Sequence, residues 1–304
     1  MLDETAKGVF TIAVTPFLPD GALDFDSVDR MVDFYAEKGA TGLTVLGMMG
    51  EAGKLSSQES VDVVKRVVAR TNLPIIVGVS APGFAAMGAL SKSAMDAGAA
   101  GVMVAPNTGL KTDDQILAYY HDTAEALGDS PFVLQDFPLA TGVVVPVRVI
   151  LQVVEDCPTC VMLKHEDWPG LDKISALRAA SDAGARRISI LCGNGGLYLI
   201  EEMLRGADGA MTGFAFPEMM AEVVRLHAAD EVAPARDVFD AYLPLVRYEA
   251  QPGLGLAIRK YTLAKRGAIA HATIRKPGAA LNAAGIAEVE ALIARQENKL
   301  KGLI

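Results

Sequence analysis

The 304-residue chain has little cysteine, histidine or tryptophan: three, four and one residues respectively. Three cysteines, an odd number in so long a chain, suit a reducing compartment and exclude a disulfide framework. His121, His165, His227 and His271 stand far apart, so nothing has metal-ligand spacing and no metal is expected. No apolar run is long enough to cross a bilayer, and residues 1–7 lack the basic and apolar regions of a signal peptide. A cytoplasmic protein without membrane contact is therefore expected. Positive charge is also scarce, with Lys+Arg 28 against Asp+Glu 37, a net charge of −9. No basic stretch can track a phosphate backbone, which argues against nucleic acid as a partner.

What is present suffices for a core: 51% of residues are hydrophobic and 21% charged, near the globular average. The clearest repeat is a junction, Gly39-Ala40-Thr41-Gly42, Gly98-Ala99-Ala100-Gly101 and Gly206-Ala207-Asp208-Gly209, placed between a helical pattern and an apolar run. The first glycine of each reads as a helix C′ cap. Their separations divide into βα units of about 30 residues. Apolar runs at 9–14, 43–46, 75–79, 102–105, 132–135, 161–164, 188–192 and 210–213 give eight strands. Amphipathic stretches lie between them; Val61, Val64 and Val68 make one apolar stripe, opposed by Asp62, Lys65 and Arg66. Eight alternating units with near-continuous apolar strands predict a closed (β/α)8 TIM barrel over residues 1–215, with its helices covering the sheet. An open doubly wound sheet fits less well, because no G-x-G-x-x-G turn follows the first strand. Residues 216–304 read as a C-terminal helical extension packed on the barrel, broken at Pro217, Pro234 and Pro252.

In such a barrel, chemistry belongs at the carboxyl ends of the strands. Lys164 closes the sixth apolar run there, and a lysine held in an apolar wall can lose its proton and attack a carbonyl. The other reading is a lysine snorkelling out of a strand end. Glu166 could move protons or simply pair with Lys164, and a carboxylate raises a lysine pKa where burial lowers it. Gly193-Asn194-Gly195-Gly196 is either an anion-binding turn or a steric turn. Trp168 and Phe137 could line a pocket or cover the mouth. Cys157-Pro158-Thr159-Cys160 has redox-motif spacing but precedes a strand, and reads as two buried small residues. Glu51 reads as structural.

Thr15-Pro16-Phe17, the G-x-x-G-E segment at 47–51, Pro138 with Thr141-Gly142, and Lys164 ending strand six together resemble the dihydrodipicolinate synthase and N-acetylneuraminate lyase superfamily across nearly the whole chain. The resemblance implies a homotetramer, no cofactor, and a Schiff base between Lys164 and a small 2-oxo acid. It places Glu166 and Gln135 with Lys164 in the catalytic set, and Gly47, Met48, Met49, Asp136, Gly193 and Met211 around the substrate. Several positions depart from the synthases. Met48 and Met49 stand where they carry hydroxyls, Gln135 where they carry the proton-relay tyrosine, and Ala140 where they carry a carboxylate-binding arginine. No tyrosine falls near Pro106-Asn107-Thr108. The segment Gln135-Asp136-x-Pro138 with Lys164-x-Glu166 is more similar to 2-keto-3-deoxy-L-arabonate dehydratase, so the expected function is a 2-keto-3-deoxy sugar acid dehydratase or aldolase. The alternatives are pyruvate condensation as in the synthases, a catalytically silent oxo-acid-binding protein, and an enzyme acting on a phosphorylated sugar.

Overall fold

A computed structural model describes residues 1–168 and 170–303. Eight parallel strands close on themselves in sequence order. They are β1 (Gly8–Ile12), β2 (Gly42–Val45), β3 (Ile75–Gly78), β4 (Gly101–Val104), β5 (Phe132–Asp136), β6 (Cys160–His165), β7 (Ser189–Cys192) and β8 (Gly209–Ala210). All eight sequence-derived strands are present, each starting or stopping within a few residues of its apolar run, and the fold is the (β/α)8 barrel.

The helices between them are α1 (Phe25–Glu37), α2 (Ser57–Arg70), α3 (Phe84–Asp96), α4 (Asp113–Leu127), the single turn α5 (Pro138–Thr141), α6 (Val147–Asp156), α7 (Leu171–Asp182), α8 (Leu199–Leu204) and α9 (Pro217–Ala228). After them come α10 (Val232–Glu249), α11 (Gly255–Lys265) and α12 (Ala283–Leu300). Because α9 packs on β1, it completes the ring, and the eighth βα unit runs past residue 215 into the stretch read as extension. Among the described residues, no helix is long and apolar enough to cross a membrane.

The junction glycines do what their position requires. Gly39, Gly98 and Gly206 have φ of +88°, +100° and +97° just beyond α1, α3 and α8, a left-handed turn that a side chain resists. Side-chain alternation divides the strands into two layers. Phe10, Ile12, Ile76, Met103, Val133, Met162, Leu191 and Met211 fill the barrel interior, while Leu134, Leu163, Ile190 and Ala210 face the helices. On α2 the buried face is Ser60, Val63, Val64 and Val67, so the stripe expected at 61, 64 and 68 is turned by one residue. Cys157 and Cys160 are buried and unpaired, and burial pushes the Cys160 thiol up to about 12, which leaves it protonated.

Candidate active site

The same alternation decides which strand-end residues meet. Gln135 follows Val133 on the inner face of β5, and Lys164 and Glu166 follow Met162 on that of β6. The ladder pairs Gln135 with Lys164 directly. The Glu166 amide extends this pairing by donating to the Asp136 carbonyl at 2.8 Å. All three side chains are buried: Lys164 and Gln135 are each 4% exposed and Glu166 6%. Lys164 Nζ lies 3.3 Å from Glu166 Oε2, and the same oxygen accepts a 2.6 Å bond from Gln135 Nε2. The glutamine therefore orients the carboxylate that faces the lysine.

These residues form the floor of a cavity of about 490 Å³ at the carboxyl end of the barrel. Ile12, Met48, Met49, Phe137, Leu139 and Trp168 make much of its wall apolar, and Trp168 stacks edge-on against Tyr198 at 4.9 Å. A snorkelling lysine would reach solvent, whereas Lys164 is enclosed. Asn194 and Gly195 also border the cavity, yet the Gly195 amide is committed to Thr212 Oγ1 and the Gly196 amide to the Gly193 carbonyl. The Gly193 amide donates to the His165 carbonyl as well, so three of the turn's amides are committed within the protein, which weighs against an anion cradle.

Four residues expected around the substrate lie elsewhere. Gly47, Asp136, Gly193 and Met211 do not border the cavity. Asp136 is one residue after Gln135 and so faces outward, where Lys173 Nζ binds its Oδ2 at 2.7 Å, Asp167 at 2.7 Å and the Val145 carbonyl at 2.9 Å. Desolvation raises the Asp136 carboxyl to about 6 despite that lysine, and desolvation lowers the neighbouring His165 to about 4. Met211 packs inside the barrel below the floor. Gly193 is a seat for Glu166: a Cβ there would fall 2.1 Å from Glu166 Cγ and 2.6 Å from its Oε1.

Further residues at the mouth carried no sequence signal that singled them out. Arg259 and Glu249, from α11 and α10, border the cavity and pair with each other, Arg259 Nε to Glu249 Oε1 at 2.6 Å. The available hint was Arg259-Lys260 interrupting an otherwise apolar helical face. Lys260, fully buried, binds Glu51 and the carbonyls of Thr15 and Thr273. Its ammonium stands 4.6 Å from the Phe17 ring, and the Arg275 guanidinium 4.4 Å. Thr15-Pro16-Phe17 and Glu51 are thus the anchorage of the C-terminal helices. Glu51 sits at φ +57° and also binds Lys54 and the Arg275 amide.

A parallel barrel with an enclosed lysine and a partnered carboxylate at the strand ends defines a class of Schiff-base lyase. The comparisons place the chain within it. Residues 5–296 match the Dihydrodipicolinate synthetase family, and the chain belongs to that family. It is 32% identical over 245 residues to the 4-hydroxy-tetrahydrodipicolinate synthase of Sorangium cellulosum, covering 79% of each chain. Identity to that of Persephonella marina is 30% over 246 residues, 79% of this chain and 82% of the other. Among solved structures, a dihydrodipicolinate synthase from Rhodopseudomonas palustris superposes with a TM-score of 0.95 at 54% identity, covering 97% of this chain and 99% of that one. The protein is a lyase of this family, using class I Schiff-base chemistry.

Proposed function

We propose that Lys164 is the Schiff-base residue and that its substrate is a small 2-oxo acid. The observation that carries this is the buried trio Lys164, Glu166 and Gln135 on the cavity floor. Lys164 Nζ attacks C2, water leaves, and the iminium withdraws electrons from C3, loosening either a C3 proton or the C3–C4 bond. Glu166, held by Gln135, is the carboxylate within reach to move protons at nitrogen and C3. Gln135 has no titrating group and orients. Borohydride reduction with pyruvate, followed by intact mass and peptide mapping, tests this: an adduct on Lys164 is expected, and no adduct with any 2-oxo acid overturns it.

Two second steps compete. The names of the relatives favour condensation, as pyruvate with aspartate semialdehyde. The residues Gln135, Met48, Met49 and Ala140 favour a one-substrate reaction on a 2-keto-3-deoxy sugar acid, because they remove the titrating hydroxyl and the second carboxylate's arginine. Turnover of pyruvate with the semialdehyde selects the first. Conversion of a sugar acid without it selects the second, with the products separating dehydration from cleavage. We extend the proposal to a homotetramer, supported by family membership and tested by light scattering.

A further inference from the structure

At β8 a cation stands where a strand side chain would be. Continuing the alternation past Met211, which packs in the barrel interior, residue 213 faces the mouth. It is glycine, and a Cβ there would fall 2.0 Å from Arg259 Nη1 and 3.0 Å from the Ile12 carbonyl oxygen. The guanidinium therefore occupies the space of an inward β8 side chain, delivered from α11, and both residues border the cavity.

Two arms of this guanidinium are committed and one is not. Nε donates to Glu249 and Nη2 to the Gly213 carbonyl, while Nη1, although buried, has no partner among the described residues. Buried donors are nearly always bonded, and a desolvated ion pair is a costly way to fill space that apolar groups could fill. An unpartnered donor on a fixed, buried fork points to a missing acceptor. The cavity lining contains two cations among the described residues, Lys164 and Arg259, and Lys164 is the nucleophile. Glu166 and Glu249 repel an anion, and Met48 and Met49 offer no hydroxyl.

We propose that Arg259 Nη1 binds the C1 carboxylate of the 2-oxo acid while Lys164 attacks the adjacent carbon; this rests on the Schiff-base reading above. C1 is bonded to the atom under attack, so its carboxylate is the one anion that every such substrate brings to the cavity. Arg259 is then the residue that selects 2-oxo acids over neutral ketones, with Glu249 fixing its orientation and Gly213 leaving it room.

The test is borohydride trapping on Lys164 with pyruvate and with hydroxyacetone, a ketone lacking the carboxylate. One variant combines Arg259→Gln with Glu249→Gln, leaving no unpaired buried charge; the other is Gly213→Ala, which displaces Nη1. In both, half-saturating pyruvate should rise about 10- to 100-fold, the effect of losing a charge-assisted hydrogen bond, with hydroxyacetone nearly unchanged. A loosened fold weakens both ketones alike, and that result, or an unchanged pyruvate value, overturns the assignment. No adduct in the unaltered protein would remove the Schiff-base reading itself, whereas an adduct with unaltered discrimination in the variants removes Arg259 alone.

Discussion

Lys164 and Glu166 are two positions apart, and in a strand that separation puts both on one face. In the sequence this half of the site was legible from the place of Lys164 at the end of an apolar run, with Glu166 beside it, and from the family resemblance; the strand period explains why the two meet. Asp136 was misplaced by the same rule, since a residue adjacent to Gln135 must face the other way. Arg259 was not legible, because nothing local ties a residue of α11 to the mouth of the barrel. For Lys164→Ala we expect a folded protein with no borohydride adduct and no turnover; an adduct of the same mass in that variant would place the nucleophile elsewhere. Glu166→Gln should lower kcat by about 10²- to 10⁴-fold, the usual loss for a general acid or base, with half-saturating substrate little changed. Steady-state kinetics across pH settles this, and an unaltered kcat would leave Glu166 as no more than a partner of Lys164.

β7 and its loop show how an element constrains a residue it does not contain. Gly193 lies outside the left-handed region, at φ −105°, and a Cβ there would fall 2.1 Å from Glu166 Cγ, so Gly193→Ala pushes on Glu166. We expect kcat to fall about 10²-fold, as for a displaced catalytic group, with the melting temperature nearly unchanged; equal loss of both would point to general disruption. One residue earlier, Cys192 faces outward beside Glu202 of α8, and desolvation raises that carboxyl from 4.5 to about 8. Its Oε2 is buried without a partner. Because the folded pKa lies above the unfolded one, the folded state holds the extra proton. The stabilisation is complete below about pH 4.5 and is lost as pH rises through 8. Glu202→Gln, always neutral, should outlast the parent in thermal melts by a margin that widens from pH 6 to 9; a constant margin would contradict a protonated Glu202. Elements themselves were well read from sequence where glycine or alternation punctuated them. The α2 stripe turned by one residue because Val61 and Val68 flank a face that Ser60, small enough to be buried, helps to form. Pro244, which the sequence reading did not single out, lies inside α10, since tertiary packing can override local propensity.

At the scale of the whole molecule, α11 joins the last third of the chain to the first loops through the buried ion pair of Lys260 with Glu51, while its other buried pair, Arg259 with Glu249, ties it to α10. Lys260→Met should cost about 3 to 5 kcal/mol, the range for breaking a buried pair, toward the lower figure because Lys54 and Arg275 still hold Glu51. Urea unfolding measures it; a loss under about 1 kcal/mol would mean that the pair behaves like a surface one. The barrel was legible from the sequence because it is built of local repeats, and this latch was not, because its partners are remote. The Lys260 bond to the Thr15 carbonyl spans 245 residues. All eight strands precede α11, so during synthesis a chain long enough to close the barrel would still lack the helix that secures its mouth. Contacts of such long range form late, after the loop-closure entropy of the intervening chain has been overcome. Refolding should therefore yield barrel-like circular dichroism before it yields a trappable Lys164, and the interval between the two signals is the time taken for α11 to dock.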